Sequence, residues 1–157
     1  MNEFIQGRLV DLILALIVSV LTAYITVKLS MKQFYSKKWW EKKAEAYSHI
    51  IENLSRLQYY FGEWLDAEFN MKQLSKEEGE KLSKEYREAK ECVIKAASIG
   101  AYIVSDKTAV TLTELLHELQ KSRTETDFIS YLDKDYGLVK DCIAKVREYA
   151  RVDLQKE

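Results

Sequence analysis

The chain contains no proline and only five glycines in 157 residues. These two residues interrupt helices and form tight turns, so their scarcity predicts long, uninterrupted helices. The two cysteines, Cys92 and Cys142, stand alone on apolar helix faces, which favours small core residues in a reducing compartment over a disulfide or metal role. The sequence also lacks a phosphate-binding glycine loop, a nucleophile elbow and a cysteine pair, so we predict neither an enzyme nor a cofactor.

Histidine and acidic residues lack the spacing of a metal or catalytic site. His49 and His117 have no carboxylate or cysteine partner at ligand spacing, and His117-Glu118 lacks the second histidine of a zinc-binding helix. The acidic stretches 77–80 and 133–135 are interpreted as solvated helix faces, because paired acids need a pocket to become catalytic. The remaining function classes are binding and assembly.

One long apolar segment is present near the start. Leu9 to Leu29 carries charges only near its edges, at Asp11 and Lys28, and as a helix it would cover roughly 32 Å, close to the hydrocarbon thickness of a bilayer. A cleaved signal peptide is the alternative, but the positive n-region and a small-x-small cleavage site are both missing. The segment therefore predicts an uncleaved transmembrane helix and a lipid bilayer as partner.

Basic residues are concentrated directly after this segment. Six lysines and one acid lie between residues 28 and 43, whereas residues 44–157 carry 17 basic and 22 acidic side chains. The positive-inside rule then predicts that the short amino tail lies outside and that residues 30–157 are cytoplasmic. The acidic body argues against nucleic acid as a partner.

Apolar residues at helical spacing continue through the rest of the chain. We predict an all-α fold, with one N-terminal transmembrane helix followed by an antiparallel cytoplasmic bundle of about four helices. The predicted divisions are a short extracytoplasmic tail, the transmembrane helix, a basic membrane-proximal segment and the bundle, at 1–8, 9–29, 30–36 and 37–157. No helix breaker lies between Arg8 and Phe61, so the first bundle helix can run straight on from the span.

Helix boundaries in the bundle follow from capping signals. A capping box, Ser75-x-x-Glu78, begins the second bundle helix, which is expected to stop near Gly100. The apolar stretch 101–104 has no partner strand, so a buried linker is preferred to a strand. Ser105 or Asp106 caps the third helix, and either Thr124-x-x-Asp127 or Thr126 begins the last. The predicted core includes the inward positions Trp40, Tyr47, Ile51, Leu54, Phe61, Leu65, Val93, Leu116, Val139, Cys142 and Val146, with Val110 and Phe128 also facing inward.

Small and polar residues recur every three to four positions along the predicted span. Small side chains let helix backbones approach closely in lipid, so this face predicts self-association or pairing with another span. The alternative is that the hydroxyls bond back to their own helix. At its edge, an acidic residue either snorkels to the boundary or lines a polar path between protomers. The predicted association face is Asp11, Ala15, Ser19, Thr22, Ala23 and Thr26.

Lysines and aromatic residues follow the span and predict membrane-interface anchors. In a straight helix Trp40 lies roughly 18 Å beyond Lys28. Electrostatic screening acts over about 8 Å, so only the first lysines reach anionic lipid. Positions at alternating intervals of three and four residues can be followed from residue 15 to residue 64. They form either a coiled-coil seam between two chains or the core face of the bundle within one chain. The predicted anchors are Lys28, Lys32, Phe34, Tyr35, Lys37 and Lys38.

Both ends of the soluble part resemble a group of small bacterial single-span proteins with a helical cytoplasmic domain. The resemblance is carried by Trp39-Trp40-Glu41-Lys42-Lys43-Ala44-Glu45-Ala46-Tyr47 with Ile50-Ile51-x-x-Leu54, and by the ending Val146-Arg147-Glu148-Tyr149-Ala150-Arg151-Val152-Asp153-Leu154. It implies a bacterial membrane protein. Some proteins of this kind belong to anti-phage systems, acting on the membrane or anchoring a partner. The resemblance transfers no functional residues.

Taken together, these features predict a non-enzymatic, membrane-anchored helical protein that forms a homo-oligomer through its span and acts in assembly or as an anti-phage effector. A passive anchor that recruits a cytoplasmic protein partner is the alternative. A third reading is a sensor whose bundle binds a small ligand, since ten tyrosines could line a pocket.

Overall fold

The computed structural model describes residues 2–71, 74–99, 102–121 and 128–155, without the side chains of residues 2–12 and 99. All regular elements within these ranges are helices, which confirms the all-α prediction. The four helices are α1 (Asn2–Phe69), α2 (Lys76–Ile99), α3 (Asp106–Lys121) and α4 (Phe128–Gln155).

Helix α1 passes without interruption through the predicted divisions at residues 8, 29 and 36. Because it contains no proline, every residue of α1 keeps the amide hydrogen that the helical ladder needs. The basic segment 30–36 is therefore helical. The chain divides into two compact units, Met1–Trp39 and Trp40–Glu157, a few residues beyond the predicted boundary.

The starts of α2 and α3 are fixed by side-chain caps. Glu78 accepts hydrogen bonds from the backbone nitrogen and hydroxyl of Ser75, and the Glu78 amide donates back to that hydroxyl, which confirms the predicted capping box. Ser105, rather than Asp106, caps α3, because its hydroxyl accepts from the Thr108 amide. The predicted stop at Gly100 and the cap within 124–127 lie outside the described residues.

The core draws residues from all four helices. Of the predicted core residues, Ile51 and Leu116 are partly buried against it, and eight are buried: Tyr47, Leu54, Phe61, Leu65, Val93, Val139, Cys142 and Val146. The part of the 15–64 spacing from residue 47 to 61 is thus occupied by the chain's own core, where Tyr47, Ile50, Leu54, Leu57 and Phe61 are all buried. Those positions are not free to form a seam between chains.

Three apolar side chains predicted to face inward are exposed. Trp40 is 42% exposed, and its indole Nε1 donates a hydrogen bond to the carbonyl of Leu154 on α4 at 3.2 Å. Val110 lies about 200° around α3 from buried Leu112, and this places it on the solvent side. Phe128, the first residue of α4, keeps one side open while its ring packs edge-on against a tryptophan.

Two further expectations from the sequence are wrong. Asp135 is buried at 1% exposure instead of solvated, because it stands three residues after Leu132 and four before Val139, both on the buried face of α4. Cys92 is exposed instead of in the core, because it is one residue, about 100°, from buried Val93 on α2.

Contacts between α1 and α4 run in opposite order along the two helices. Near the start of the second unit, Trp40 bonds Leu154, whereas further along α1 the Phe61 ring lies 6.3 Å from that of Tyr131. Aromatic rings fill the far part of the core, where Tyr60 lies 4.4 Å from Tyr86 of α2. Rings of this size bury large areas and favour edge-on packing, so they hold α1, α2 and α4 together.

A polar cluster joins three helices around the Tyr47 hydroxyl. The hydroxyl donates to Asp153 Oδ2 at 3.0 Å and accepts from the Ser105 amide at 3.1 Å. Lys43 Nζ lies 3.7 Å from the same aspartate, and the Thr108 hydroxyl bonds Ser105 at 2.9 Å. Since Tyr47 is only 2% exposed, these bonds satisfy a polar group inside the core and tie α1 to the start of α3 and the end of α4.

Replacing Tyr47 by phenylalanine should therefore destabilise the helical domain by about 1–3 kcal/mol, because the Ser105 amide loses its acceptor and Asp153 its donor. Tyr59→Phe, at a position 55% exposed, is the matched control and should change stability by less than about 0.5 kcal/mol. Urea unfolding of the full chain in mild detergent, followed by tryptophan fluorescence, measures both. Equal effects of the two substitutions would contradict the structural role of the cluster.

Candidate functional site

Helix α1 begins with a long apolar surface that no other part of the described chain covers. Leu12 to Val27 contains no charged residue, and every described side chain from Ile13 to Trp40 is exposed. By length and composition, α1 is the one described helix that could cross a membrane. An exposed apolar surface of this extent is unusual for a water-soluble monomer and indicates contact with lipid or protein.

Small and hydroxyl side chains occupy one side of this surface. At about 100° per residue, Ala15, Ser19, Thr22, Ala23 and Thr26 fall within an arc of roughly 100°. Asp11 continues that arc in register, but its side chain lies outside the described residues. The structure thus places the described members of the predicted association face side by side on one helix.

The hydroxyl groups of this face bond to their own helix. Ser19 donates to the Leu16 carbonyl at 2.9 Å, and Thr22 and Thr26 donate to carbonyls four residues earlier at 2.8 Å. The sequence leaves two arrangements open for these hydroxyls, and the structure shows the one in which they bond back to their own helix. Because the donors are used internally, contact across this face would depend on close backbone approach at the small residues rather than on donated interhelical bonds.

The predicted interface anchors surround α1. Lys28 and Lys32 lie on one side of the helix, whereas Lys37 and Lys38 fall on other sides, so the four lysines form a collar and not a stripe. Among the aromatic anchors, the Phe34 ring lies 5.9 Å from the Tyr35 ring and 5.9 Å from Lys38 Nζ. Cations and rings in this arrangement suit an interface between apolar and polar surroundings.

Each histidine has a nearby glutamate, which corrects the expectation that neither has a carboxylate partner. His49 Nε2 lies 3.9 Å from Glu45 Oε1, one helical turn earlier, and His117 Nδ1 lies 3.6 Å from Glu118 Oε1. Both histidines are about two-thirds exposed. In the described part of the chain, no three His, Cys, Asp or Glu side chains come together as a metal-binding group.

The two thiols differ sharply in their surroundings. Cys142 is buried among apolar side chains, and this desolvation raises the pKa of its thiol to about 11, whereas Cys92 is exposed on α2. Because the thiolate is the nucleophile, burial and a raised pKa both protect Cys142.

Alkylation of the folded full chain at pH 8 should modify Cys92 and leave Cys142 largely unreacted. Intact-mass measurement after iodoacetamide treatment is expected to show one adduct in the native protein and two after denaturation. Cys92→Ser should remove the native adduct. Comparable native alkylation of the two thiols would contradict the burial of Cys142.

Comparison of the chain with protein-family models, curated proteins and solved structures found no match. The candidate site therefore rests on the residues and geometry of α1 itself.

Proposed function

We propose that the chain is a non-enzymatic protein anchored in the bacterial inner membrane by residues 9–29, with residues 37–157 forming an antiparallel cytoplasmic bundle. The observation that carries the proposal is the uncovered apolar surface Ile13–Leu29. Ten isoleucine, leucine and valine side chains lie in it. At about −0.3 to −0.6 kcal/mol each, they favour insertion by roughly 3–6 kcal/mol.

The lysine collar supports an orientation with the amino terminus outside. Lys28, Lys32, Lys37 and Lys38 all follow the apolar surface, and retaining them in the cytoplasm satisfies the positive-inside rule. The resemblance of residues 39–54 and 146–154 to small bacterial single-span proteins supports the same membrane and topology.

The exposed thiol of Cys92 makes this topology measurable. A membrane-impermeant maleimide should label Cys92 in inverted inner-membrane vesicles and not in intact spheroplasts, because the proposed bundle is cytoplasmic. Asn2→Cys in a Cys92→Ser chain is the matched control, with the reverse pattern expected. The protein should also stay with the vesicles during alkaline carbonate washing. Release by carbonate would overturn the anchor, and labelling of Cys92 from outside would overturn the orientation.

Self-association through the span is the second part of the proposal. It is supported by the small-residue face, in which Ala15, Ser19 and Ala23 succeed one another at intervals of four and allow close helix approach. The partner is then a second copy of the chain, and the work of the protein is assembly in the bilayer.

Bulk added to this face should weaken association. Ala15→Leu with Ser19→Leu is expected to lower the association constant at least about tenfold, a change of about 1.4 kcal/mol, because the backbones can no longer approach. Val20→Leu adds a methylene elsewhere on the helix and should leave association unchanged. The particle mass in nanodiscs across a range of protein-to-lipid ratios measures both. A monomer at every ratio would refute self-association.

In the form suggested by the anti-phage resemblance, clustering breaches the inner membrane and stops an infected cell. The polar face, with Asp11, Ser19, Thr22 and Thr26, would line the breach. Membrane potential during expression tests this form. Depolarisation by the natural chain, lost in the Ala15→Leu and Ser19→Leu chain, is the expected result, and unchanged potential at high expression would remove its support.

A passive anchor for a cytoplasmic partner is the second candidate. The observation in its favour is that the hydroxyls of Ser19, Thr22 and Thr26 donate to carbonyls of their own helix. The span then has few polar groups with which to recognise another span. Exchange of residues 9–29 for an unrelated span separates the two candidates. Activity retained after the exchange favours the passive anchor, and activity lost favours assembly through the span.

A further inference from the structure

A cavity of about 300 Å³ opens between α1 and α2, far from the apolar start of α1 in the sequence. Its wall is mainly aliphatic and is built from Ala46, Ile50, Ala96, Ile103 and Val104. The volume is at the lower end of the range for small-molecule sites. It corresponds to roughly ten water-sized volumes, enough for a ligand of about ten non-hydrogen atoms.

Polar side chains also line this cavity. Asn53 is held in place because its amide donates to the His49 carbonyl at 2.8 Å. Lys95 is the one charged side chain among the described lining residues, and Glu91, 4.0 Å from its Nζ, does not line the cavity. The Lys95–Glu91 pair is about two-thirds exposed on both sides. Exposed ion pairs of this kind contribute little to stability, so the Lys95 ammonium group can leave Glu91 and bind a ligand instead.

We propose that this cavity binds a small amphipathic anion, an unbranched aliphatic chain ending in a carboxylate. The aliphatic wall removes the chain from water, and Lys95 supplies the charge that complements the carboxylate. Octanoate, with ten non-hydrogen atoms, matches the volume and is the probe. The proposal does not depend on the span, since every lining residue belongs to the second unit, Trp40–Glu157.

Cys92 gives a direct readout because it lines the same cavity and is exposed, whereas the other thiol, Cys142, is buried. The full chain in nanodiscs is alkylated with iodoacetamide at increasing octanoate. Saturating octanoate should slow alkylation of Cys92 at least fivefold. Each methylene removed, from octanoate to butyrate, should raise the concentration needed for protection about fourfold, the equivalent of about 0.8 kcal/mol per methylene.

Four variants distinguish binding in the cavity from general effects of an amphiphile. Lys95→Gln should weaken protection by octanoate about tenfold and leave protection by octanol unchanged. Ala96→Leu fills the cavity and should abolish protection, and Ala46→Val repeats this test on α1 should Ala96→Leu fail to fold. A thiol outside the cavity, Ser98→Cys in a Cys92→Ser chain, should not be protected.

The proposal is overturned by any of three results. One is that octanoate fails to slow alkylation of Cys92. Another is that the Ser98→Cys thiol is slowed to the same extent. The third is that Lys95→Gln leaves protection by octanoate unchanged. None of these bears on carbonate extraction or particle mass, so failure here is distinguishable from failure of the proposed membrane anchor.

Discussion

Apolar surface has to be removed from water, and the two ends of α1 meet this requirement by different means. Between Tyr47 and Phe61 the inward side chains are covered by α2, α3 and α4, and several are completely buried. Between Ile13 and Leu29 the described chain offers no cover at all. The same continuous helix therefore contains two kinds of segment. Residues 13–29 need an apolar environment from outside the described chain, whereas the inward side chains of residues 47–61 are covered by the other helices of the domain. The proposal of a membrane anchor follows from this contrast.

The hydrogen bonds of the hydroxyl groups also differ between the apolar segment of α1 and the helical domain. In the apolar segment the hydroxyls of Ser19, Thr22 and Thr26 donate to their own backbone, which satisfies these donors where no water is available. In the helical domain the buried Tyr47 hydroxyl is instead satisfied by groups brought from α3 and α4. Association through the span consequently relies on the shape of the helix at Ala15, Ser19 and Ala23, whereas cohesion of the domain relies on packing together with directional bonds.

Periodicity and capping chemistry made most of the fold predictable. The lack of proline anticipated an uninterrupted α1, the Ser75-x-x-Glu78 box marked the start of α2, and helical spacing found most core positions. The wrong predictions have two origins, packing against neighbouring elements and positions on the helix itself. Helical spacing places Trp40 in phase with the core positions of α1, but it does not show that the indole is left 42% exposed in the packed domain. The polarity of Asp135 favours a solvated face, but its place between Leu132 and Val139 indicates the inward face of α4, and the structure follows the second signal.

The cavity was beyond sequence reasoning for a related reason. It depends on the separation of α1 and α2 and on the turn that carries Ile103 and Val104, and no local pattern sets either one. That turn leads directly into Ser105, whose amide and hydroxyl both bond the Tyr47 hydroxyl. Tyr47 lies one residue beyond the cavity wall at Ala46, so the polar cluster links the α1 wall of the cavity to the turn at 103–104. Directional hydrogen bonds therefore hold two parts of the cavity wall, the α1 part and the turn, in place before an aliphatic ligand binds, which reduces the ordering that binding requires.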